Sequence, residues 1–331
     1  MPKNDVAKQS FSAPPENLHF LVHPVLISFV VPLHNHLAET KVMLASLQVT
    51  VPQDVSHEII FVDDASKDGT SSWLKSLDDP RIRFCINVVN RGYAASNNAG
   101  VRLARGDVLV LLNNDLVLSP GWLEPMLALL QSPGLHAGLV GNVQFRVADG
   151  AVDHAGVALS PRGHLFHQNT ISQMPHVRAF AVTGACMLLH KADFLAVGGF
   201  DESFVNGCED IDLCFKLQQA RQKIYVACES RIHHHVSLSR KTNTLQDLQN
   251  SRLLFFRWRG KIKNELSRVW RDLLAAGPDA YADGWPEPIE PEYLSTPHAL
   301  SRVMAETMLR REEAHWQQML DGGLHPIAAA P

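Results

Sequence analysis

Short apolar runs that end in polar side chains recur along the first half of the chain. Leu26–Pro32, His57–Ser66 and Val108–Asp115 each hold a β-branched or leucine-rich core, which is typical of strands buried on both faces of a parallel sheet. Segments with helical spacing of apolar residues, Leu37–Val49 and Asn97–Arg105, lie between them. This alternation predicts an α/β fold whose parallel strands are joined by right-handed crossovers.

The second half of the chain has a less regular pattern. Gly138–Phe145 and Gly156–His167 combine glycines with alternating apolar positions, which favours short strands or hairpins. Phe180–Leu189 and Lys223–Cys228 are typical of further strands, and Glu209–Ala220 has the apolar spacing of a helix. The pattern therefore predicts that the sheet continues beyond its parallel strands.

The two ends of the chain lack this strand pattern. The first residues are polar and contain prolines, which predicts a flexible leader. Residues 277–298 are rich in proline, and the apolar spacing over Ser301–Leu320 predicts a final amphipathic helix. The predicted organisation is a leader over 1–24, a main domain over 25–258 and a C-terminal helical extension with a proline-rich linker over 259–331.

The composition excludes several classes of protein. The 331 residues are 46% hydrophobic and 19% charged with a net charge of -4, which suits one large α/β domain and gives no reason to expect a nucleic-acid partner. The five cysteines form no CxxC pair. No run reaches the length of a membrane span, and the N-terminus lacks a signal-peptide core. We therefore expect a cytoplasmic protein with reduced cysteines.

One basic and aromatic run leaves peripheral membrane contact open. Phe255–Lys263 combines large apolar side chains with cationic ones, and this composition can meet an anionic lipid surface at the inner membrane face or a lipid-diphosphate acceptor. The composition favours the more ordinary interpretation, which is a solvated helix face packed on the main domain.

Acidic side chains follow two of the predicted buried strands. Asp63 and Asp64 end one run and Asp115 ends another, whereas Asp107 precedes its strand and so lies at the opposite edge. The carboxyl ends of parallel strands meet at the edge where open α/β sheets bind ligands. Asp64 could accept a hydrogen bond from a nucleobase N–H, and Asp115 could hold a hard cation that carries phosphates. A plain turn over Asn113–Asp115 is the alternative, since Asn and Asp are favoured in turns.

Six motifs in order resemble one known family. They are VVPLHN, FVDDASKDGT, NRGYAASNNAG, LLNNDLVL, GGFDESF and EDIDLCFKL, and they span roughly 26–257. Together they resemble glycosyltransferase family 2, and the Asn-Asn-Asp element with a later His cluster is most similar to its rhamnosyltransferase-like and galactofuranosyltransferase-like branches. The resemblance implies a GT-A fold, with a Rossmann-like, mixed but mostly parallel central sheet flanked by helices. It also implies inverting transfer of a hexose or deoxyhexose from a UDP- or dTDP-sugar to a glycan or lipid-linked acceptor.

The resemblance assigns donor-binding positions. Asp64 matches the carboxylate that contacts the base, and Asn113 and Asp115 match the outer positions of the family's Asp-X-Asp element. Because Asn113 is neutral, Asp115 is the only charged ligand in this element, so binding of Mn²⁺ or Mg²⁺ calls for another ligand. The positions implied to bind the nucleotide-sugar donor are Pro32, Leu33, Asn35, Asp64, Arg91, Gly92, Asn97, Asn113 and Asn114.

The further metal ligand is predicted among His233–His235, in the loop after the last strand. Imidazole suits Mn²⁺ better than Mg²⁺, which prefers oxygen ligands and water. In the related transferases one His precedes a Ser by a few residues, and His234 with Ser239 fits that pattern best, followed by His235. The alternative is a polar loop with three ordinary histidines.

Glu209 and Asp210 are the candidate catalytic acids. An inverting transfer needs a carboxylate that takes the proton of the acceptor hydroxyl, and the resemblance implies that Asp210 is this base and that Glu209 supports it. The alternative is that both acids complement a helix N-terminus. Asp212 should face away from Asp210 on that helix. The resemblance places Phe180–Leu189 and Gly198–Glu202 on the floor of the acceptor side, where Gly184 permits close backbone approach and Asp201 is structural in a turn. Asp153 and His154 are low-ranked candidates for acceptor or sugar contact.

Three other functions fit parts of the sequence. A nucleotidyltransferase shares such a sheet and a metal, but it predicts a glycine-rich basic loop after the first strand, where this chain has PLHNH. Neutral Asn113 favours a catalytically silent scaffold that binds sugar nucleotides. A hydrolase with two carboxylates fits least, because its chemistry needs neither Asp64 nor a nucleotide loop.

Overall fold

The computed structural model describes residues 25–235, 245–277 and 297–321. The predicted leader, Ser239 and nearly all of the proline-rich linker lie outside these described residues. The described chain forms a central sheet with a hydrophobic cluster on each face.

Four parallel strands form one half of the sheet. The strands and their connecting helices are β1 (Ile27–Leu33), α1 (Leu37–Thr50), β2 (His57–Asp63), α2 (Thr70–Lys75), β3 (Ile82–Ile86), α3 (Gly92–Leu103) and β4 (Val108–Leu112). The strand order is β3-β2-β1-β4, and each neighbouring pair is parallel. In β4, Leu109 and Leu111 join one hydrophobic cluster while Val110 and Leu112 join the other, as expected for a strand buried on both faces. The predicted alternation of strands and helices is confirmed.

The other half of the sheet is mixed. Its elements are β5 (Leu116–Leu118), α4 (Leu123–Leu130), β6 (Ala137–Arg146), β7 (Val152–His154), β8 (Val157–Leu159), β9 (Leu165–His167), β10 (His176–Arg178), β11 (Cys186–His190), α5 (Lys191–Ala196), α6 (Glu209–Gln219) and β12 (Lys223–His234). Strand β11 lies antiparallel between β4 and β6, and β12 runs parallel to β6. Strands β5 and β7 pair with β12 and β6, and β8 with β9 forms a separate hairpin.

Two elements begin elsewhere than the sequence predicts. Strand β11 starts at Cys186, later than predicted, because the N–H of Gly184 is donated to the carboxylate of Asp210 at 2.8 Å. Helix α3 starts at Gly92, earlier than predicted, because the carboxylate of Asp64 accepts the N–H of Gly92 at 2.8 Å. In both cases a distant acid decides the boundary.

Strand β12 extends further than the sequence predicts. Its pairing with β6 shifts register between Ala227 and Arg231 and then resumes to the end of the strand. His233 and His234 lie in this last part, where they also pair with β5. The prediction that these two histidines lie in a loop after the strand is therefore wrong.

Two C-terminal helices pack on the main domain. They are α7 (Leu245–Ala276) and α8 (Pro297–Asp321). Leu266 and Trp270 of α7 and Met304 of α8 are buried in the same cluster as residues of the sheet. Helix α7 passes through the predicted domain boundary at 258, where Trp258 has non-helical backbone angles. Of the helices described, none has the length and apolar character needed to cross a bilayer.

Asp212 fastens α6 to the kink in α7. Its side chain is fully buried, at 0% exposure. The carboxylate accepts hydrogen bonds from the Trp258 indole at 2.8 Å and the Arg257 guanidinium at 3.1 Å, and it pairs with the Lys216 ammonium at 2.9 Å. Asp212 is therefore a structural anchor between the main domain and the C-terminal helices.

Replacement of Asp212 with asparagine should lower the free energy of unfolding by about 1–3 kcal/mol, since charge-assisted hydrogen bonds in a buried site are lost. The matched control is Asp272→Asn on α7, where the side chain is 62% exposed and the expected change is below about 0.5 kcal/mol. Urea unfolding followed by circular dichroism measures both variants. Equal effects of the two substitutions would contradict the role given to Asp212.

Candidate functional site

Side-chain hydrogen bonds join the loops at the carboxyl edge of the parallel strands. The amide oxygen of Asn35 accepts the N–H of Lys67 at 2.8 Å, and the Asn35 N–H donates to the Ser66 hydroxyl at 2.7 Å. The side-chain amide of Asn114 donates to the Asn35 carbonyl at 3.2 Å and to the Thr40 hydroxyl at 2.9 Å. The predicted donor-binding residues Asn35 and Asn114 therefore lie together.

Asp64 is almost fully buried, at 3% exposure, and its carboxylate holds the start of α3. One oxygen accepts hydrogen bonds from the Asn87 amide at 2.8 Å and the Arg91 N–H at 2.9 Å, and the other accepts the Gly92 N–H at 2.8 Å. Asp64 thus positions the segment that carries Arg91 and Gly92. Its contact with a nucleobase stays a prediction, and that contact would have to share oxygens already used by these donors.

Other predicted donor-binding residues present little side chain to solvent. Leu33 is 1% exposed and Asn97 is 0% exposed, and Pro32 is half-buried. The Leu33 carbonyl accepts the N–H of Asp64 at 2.7 Å. The Asn97 amide donates to the Tyr93 carbonyl at 3.0 Å, while its buried oxygen has no hydrogen-bond partner among the described residues. A ligand at this edge would therefore meet the backbone of Leu33 rather than its side chain.

Asp115 and His234 face each other although they are far apart in the sequence. Asp115 Oδ1 lies 3.3 Å from His234 Nε2, and His234 Nδ1 lies 3.9 Å from Asp153 Oδ2. The pairing of β12 with β5 sets His234 opposite Leu116, and the His235 N–H donates to the Asp115 carbonyl at 3.0 Å. The structure thus brings the two predicted metal ligands together and adds Asp153.

The two carboxylates control the charge of His234. Burial opposes the charged imidazole, but the hydrogen-bonding and charge effects of Asp115 and Asp153 outweigh it and raise the pKa of His234 to about 9. In turn, His234 is the main cause of a lowered pKa at Asp153. Burial instead lowers the pKa of neighbouring His154 to about 3. Without a cation His234 is therefore protonated at neutral pH, and it would release a proton on binding one.

The pair formed by Asp115 and His234 fits two neighbouring ligands of a divalent cation. Its 3.3 Å separation is close to the spacing of about 3 Å between adjacent ligands of an octahedral ion with bonds of about 2.1 Å. Asp115 is also buried, at 8% exposure. Within the described ranges, no three His, Cys, Asp or Glu side chains are arranged to hold a metal ion. Further ligands would be oxygens of a diphosphate and water, which hard cations accept.

The candidate base lies close to the candidate metal element. The N–H of Asn113 donates to the Ala185 carbonyl at 2.9 Å, and the N–H of the preceding residue, Gly184, donates to Asp210 Oδ2 at 2.8 Å. Glu209 beside Asp210 is 6% exposed. Two consecutive residues that lead into β11 therefore contact the two predicted sites, Gly184 through its N–H to Asp210 and Ala185 through its carbonyl to Asn113.

Gly184 leaves room for Tyr93, which the sequence analysis missed. The Tyr93 hydroxyl donates to the Gly184 carbonyl at 2.7 Å. Burial, followed by the charges of Glu209 and Asp210, raises the pKa of Tyr93 well above its usual value, so the phenol keeps this proton. A Cβ atom at Gly184 would come within 2.9 Å of the Tyr93 hydroxyl and 3.4 Å of Asp210 Cβ. Nothing in the spacing of the sequence indicates this contact.

Replacement of Gly184 with alanine should displace Tyr93 or Asp210 and reduce catalytic turnover on the order of 10- to 100-fold, as small shifts in reacting groups do. The matched control is Gly134→Ala, because a Cβ there meets no atom within 4 Å. Steady-state rates and melting temperatures are measured for both variants. A lower rate at an unchanged melting temperature indicates displaced side chains, whereas a lower melting temperature indicates a less stable fold. A Gly184→Ala protein with full activity would show that the spacing here is unimportant.

The segment before α6 folds over the start of α3. Glu202 pairs with Arg91 at 3.3 Å and accepts a hydrogen bond from the Asn98 amide at 3.0 Å. Asn206 accepts the N–H of Tyr93 at 3.0 Å. The side chains of Arg91 and Glu202 are 48% and 41% exposed. Arg91, which is predicted to contact the sugar-nucleotide donor, is thus paired with Glu202 on the predicted acceptor side. In the sequence, only the GGFDESF motif indicated Glu202.

Known proteins share this sequence pattern. Residues 28–194 match the model described as glycosyl transferase family 2. The chain is 32% identical over 232 residues to an uncharacterized protein of Sinorhizobium fredii, covering 65% of this chain and 25% of the relative. It is 26% identical over 233 residues to the O-antigen biosynthesis protein RfbC of Myxococcus xanthus, covering 67% of this chain and 18% of the relative. The chain therefore spans a quarter or less of the length of these two relatives.

A solved structure shares the fold. The crystal structure of GalNAc-T7 with UDP, GalNAc and Mn²⁺ has a TM-score of 0.62 at 16% identity, covering 87% of this chain and 55% of that chain. At this level of identity the similarity concerns the fold alone. The predicted GT-A architecture with a C-terminal helical extension is confirmed.

Proposed function

Since the chain belongs to glycosyl transferase family 2, we propose that it transfers a hexose or deoxyhexose from a UDP- or dTDP-sugar to a glycan or lipid-linked acceptor, with inversion at the anomeric carbon. The donor class is supported by the structural neighbour that holds UDP and GalNAc. The acceptor class is supported by the Myxococcus xanthus relative, which is named for O-antigen biosynthesis.

The proposed reaction is a single in-line displacement. The acceptor hydroxyl oxygen bonds to the anomeric carbon while the bond between that carbon and the diphosphate oxygen breaks, and the hydroxyl proton passes to Asp210. The Asp210 carboxylate accepts backbone N–H groups of Gly184 and Ile211, each at 2.8 Å. These bonds fix the direction of the carboxylate, which supports its assignment as the base. Glu209 is assigned to support Asp210 or the acceptor.

The leaving diphosphate needs positive charge beside it. We assign Asp115 and His234 as the protein ligands of Mn²⁺ or Mg²⁺, with Asn113 as an uncharged oxygen donor. When bound, the cation stabilises the charge that develops on the departing diphosphate. Asp153 lies against the other ring nitrogen of His234, a position from which outer partners commonly orient a ligating imidazole.

The remaining assigned residues are proposed to hold the nucleotide and the sugar. The loops that follow β1 and β4 are joined by a hydrogen bond from the Asn114 side chain to the Asn35 carbonyl. Asp64 fixes the start of α3 by accepting the Gly92 N–H. The proposed donor-binding set is Pro32, Leu33, Asn35, Asp64, Arg91, Gly92, Asn97, Asn113 and Asn114.

One observation carries this proposal. Two consecutive residues link Asp210 to Asn113, because the Gly184 N–H donates to the Asp210 carboxylate and the Ala185 carbonyl accepts the Asn113 N–H. The turn that Asn113 opens ends at Asp115, opposite His234. The carboxylate that we assign as the base and the pair that we assign to hold the cation therefore lie on adjoining elements. Displacement of a diphosphate by a hydroxyl needs this combination.

A catalytically silent protein that binds sugar nucleotides is the second candidate. Two features favour it. Asn113 carries no charge, and the described residues contain no group of three His, Cys, Asp or Glu side chains that could hold a metal ion. Such a protein would bind the nucleotide but consume no donor.

Donor screening by mass spectrometry tests the proposal. The protein is incubated with Mn²⁺ and a panel of UDP- and dTDP-hexoses and deoxyhexoses, with simple glycans as acceptors. We expect one donor to be consumed, with release of UDP or dTDP. Nucleotide binding without consumption of any donor would favour the silent protein instead.

We also propose a cytoplasmic location with peripheral contact at the inner membrane face. The described cysteines are all free, which suits a reducing compartment. Phe256 on α7 has an exposed side chain, which would suit contact with a lipid surface.

A further inference from the structure

A cleft between α7 and α8 has a strongly cationic lining. Its volume is about 640 Å³, within the usual range of small-molecule sites. The described residues that line it are Lys263, Arg268, Arg271, Arg302, Asn264, Ser267, Ser301 and Gly260. Neither a carboxylate nor a large apolar side chain belongs to this described lining, so the charged groups that line the cleft are all cationic.

The lining is continuous with one face of α7. Lys263 and Ser267 are four residues apart, as are Ser267 and Arg271, so all three lie on one side of the helix. A second cavity of about 390 Å³ further along α7 shares Gly260 and Asn264 with the first and adds Arg257 and Lys261. The run that the sequence analysis singled out as basic thus leads into the cleft.

Ion pairs offset only part of this charge. Lys263 lies 2.6 Å from Glu306, and Arg268 pairs with Glu265. Arg271 makes only a long contact of 3.7 Å with neighbouring Asp272, and Arg302 forms no ion pair with the residues that the structure describes. The ion-paired groups are Arg259, Lys263, Arg268, Arg271 and Arg310 with Glu265, Asp272, Glu306 and Glu313. Arg302, which lines the cleft outside these pairs, brings the cations to six against four acids.

The geometry of these groups selects one kind of ligand. A guanidinium carries five N–H donors in a planar fork and matches the oxygens of phosphate. Arg271 and Arg302 keep most of these donors free of tight ion pairs in the described part. The amide of Asn264 supplies a neutral donor beside them. A phosphate group, with several acceptor oxygens and a double negative charge, satisfies this lining better than a neutral or a cationic ligand.

We propose that the cleft between α7 and α8 is a binding site for a phosphate group, lined by Lys263, Arg268, Arg271 and Arg302. This site is separate from sugar transfer, because none of its lining residues belongs to the candidate base, the metal pair or the donor-binding set. The phosphate comes from the headgroup of an anionic lipid or from a soluble phosphate compound, and binding experiments distinguish the two sources.

The test variant is the double substitution Arg271→Gln and Arg302→Gln. Neither side chain makes a tight ion pair within the described residues, so the variant should fold as the parent does, with an unchanged melting temperature. The matched control, Arg102→Gln with Arg311→Gln, removes the same charge elsewhere. Arg311 lies nine residues after Arg302, which places it on the opposite side of α8.

Two binding arms use the full chain without a sugar donor. In the first, the protein is sedimented with phosphatidylcholine vesicles that do or do not contain phosphatidylglycerol, at an ionic strength of about 0.1 M. In the second, inorganic pyrophosphate is titrated by calorimetry. We expect the test variant to weaken binding on the order of 30-fold in one arm, as two cationic side chains contribute near an anionic surface, and the control pair to bind as the parent does.

Each outcome decides the proposal. If the test variant binds vesicles more weakly than the parent and the control, the site is supported and its ligand is a lipid headgroup. If the test variant binds pyrophosphate more weakly than both, the site is supported and its ligand is a soluble phosphate compound. Absence of parent binding in both arms, or an equal loss in the test and control variants, overturns it. Since no donor is present, failure here leaves the proposed sugar transfer untouched, and failure of sugar transfer leaves this site untouched.

Discussion

Replacement of Asp210 with asparagine should reduce the rate of sugar transfer by a factor of about 10² to 10⁴, the usual contribution of a general base. The asparagine oxygen can still accept the Gly184 N–H that Asp210 accepts at 2.8 Å, so the lead into β11 should persist, although the hydrogen bond from the Ile211 N–H to the second oxygen is lost. What the variant loses is a group that can take a proton. Binding of the nucleotide should stay within a few-fold of the parent, because Asp210 is assigned to the acceptor side.

The measurement compares turnover and nucleotide affinity in the same preparations. Asp272→Asn is the control, since this acid lies on the surface of α7 and its replacement should leave turnover unchanged. Glu209→Gln should reduce turnover less than Asp210→Asn, because Glu209 is assigned a supporting part. Normal turnover in Asp210→Asn would sink the base assignment, whereas loss of nucleotide binding along with turnover would point to misfolding of the site.

The second large effect concerns the metal. Asp115→Ala should weaken Mn²⁺-dependent binding of the nucleotide by more than about 100-fold, since loss of an outer-sphere partner alone commonly costs 10- to 100-fold and Asp115 is assigned as a direct ligand. His234→Ala should act in the same direction. The two residues lie 3.3 Å apart, so their effects should be less than additive in the double variant.

Calorimetry with UDP or dTDP, with and without Mn²⁺, measures this effect. The control is Asp149→Asn, because this acid pairs with Arg146 on the surface. The parent should bind more tightly with Mn²⁺, and the Asp115→Ala protein should bind equally weakly with and without it. If Mn²⁺ leaves nucleotide binding by the parent unchanged, neither Asp115 nor His234 has the assigned role.

The parallel half of the fold was predictable because its signal is local. Strands β1, β2 and β4 are buried on both faces, so each appears in the sequence as a continuous apolar run. Once these runs are taken as parallel strands, their polar ends must meet at one edge. The positions of Asp64 and Asp115 at that edge follow from the sequence alone.

The mixed half was less predictable because distant contacts decide it. Strand β12 reaches His234 only because it pairs with β5 and with the end of β6, and no local pattern indicates either partner. Strands β7 and β10 are three residues long, too short for periodicity to reveal. Only the folded chain places Asp153 beside His234 and Tyr93 beside Gly184.

The C-terminal helices show the same division. The apolar spacing of α8 predicts a helix, and its core residues Met304 and Met308 are buried as that spacing requires. The cationic cleft depends on how α7 and α8 pack, so the sequence shows only that basic residues are present. Its lining joins positions from both helices across a segment of proline-rich sequence.

The most direct measurement is a proton NMR time course of the transfer reaction, made with the donor that the screen identifies and with Mn²⁺ present. The anomeric proton of the donor should disappear as a product of opposite anomeric configuration appears in the parent and the Asp272→Asn control, and not in Asp210→Asn. A product that retains the donor's configuration, or equal rates in the parent and Asp210→Asn, would contradict inverting transfer with Asp210 as the base.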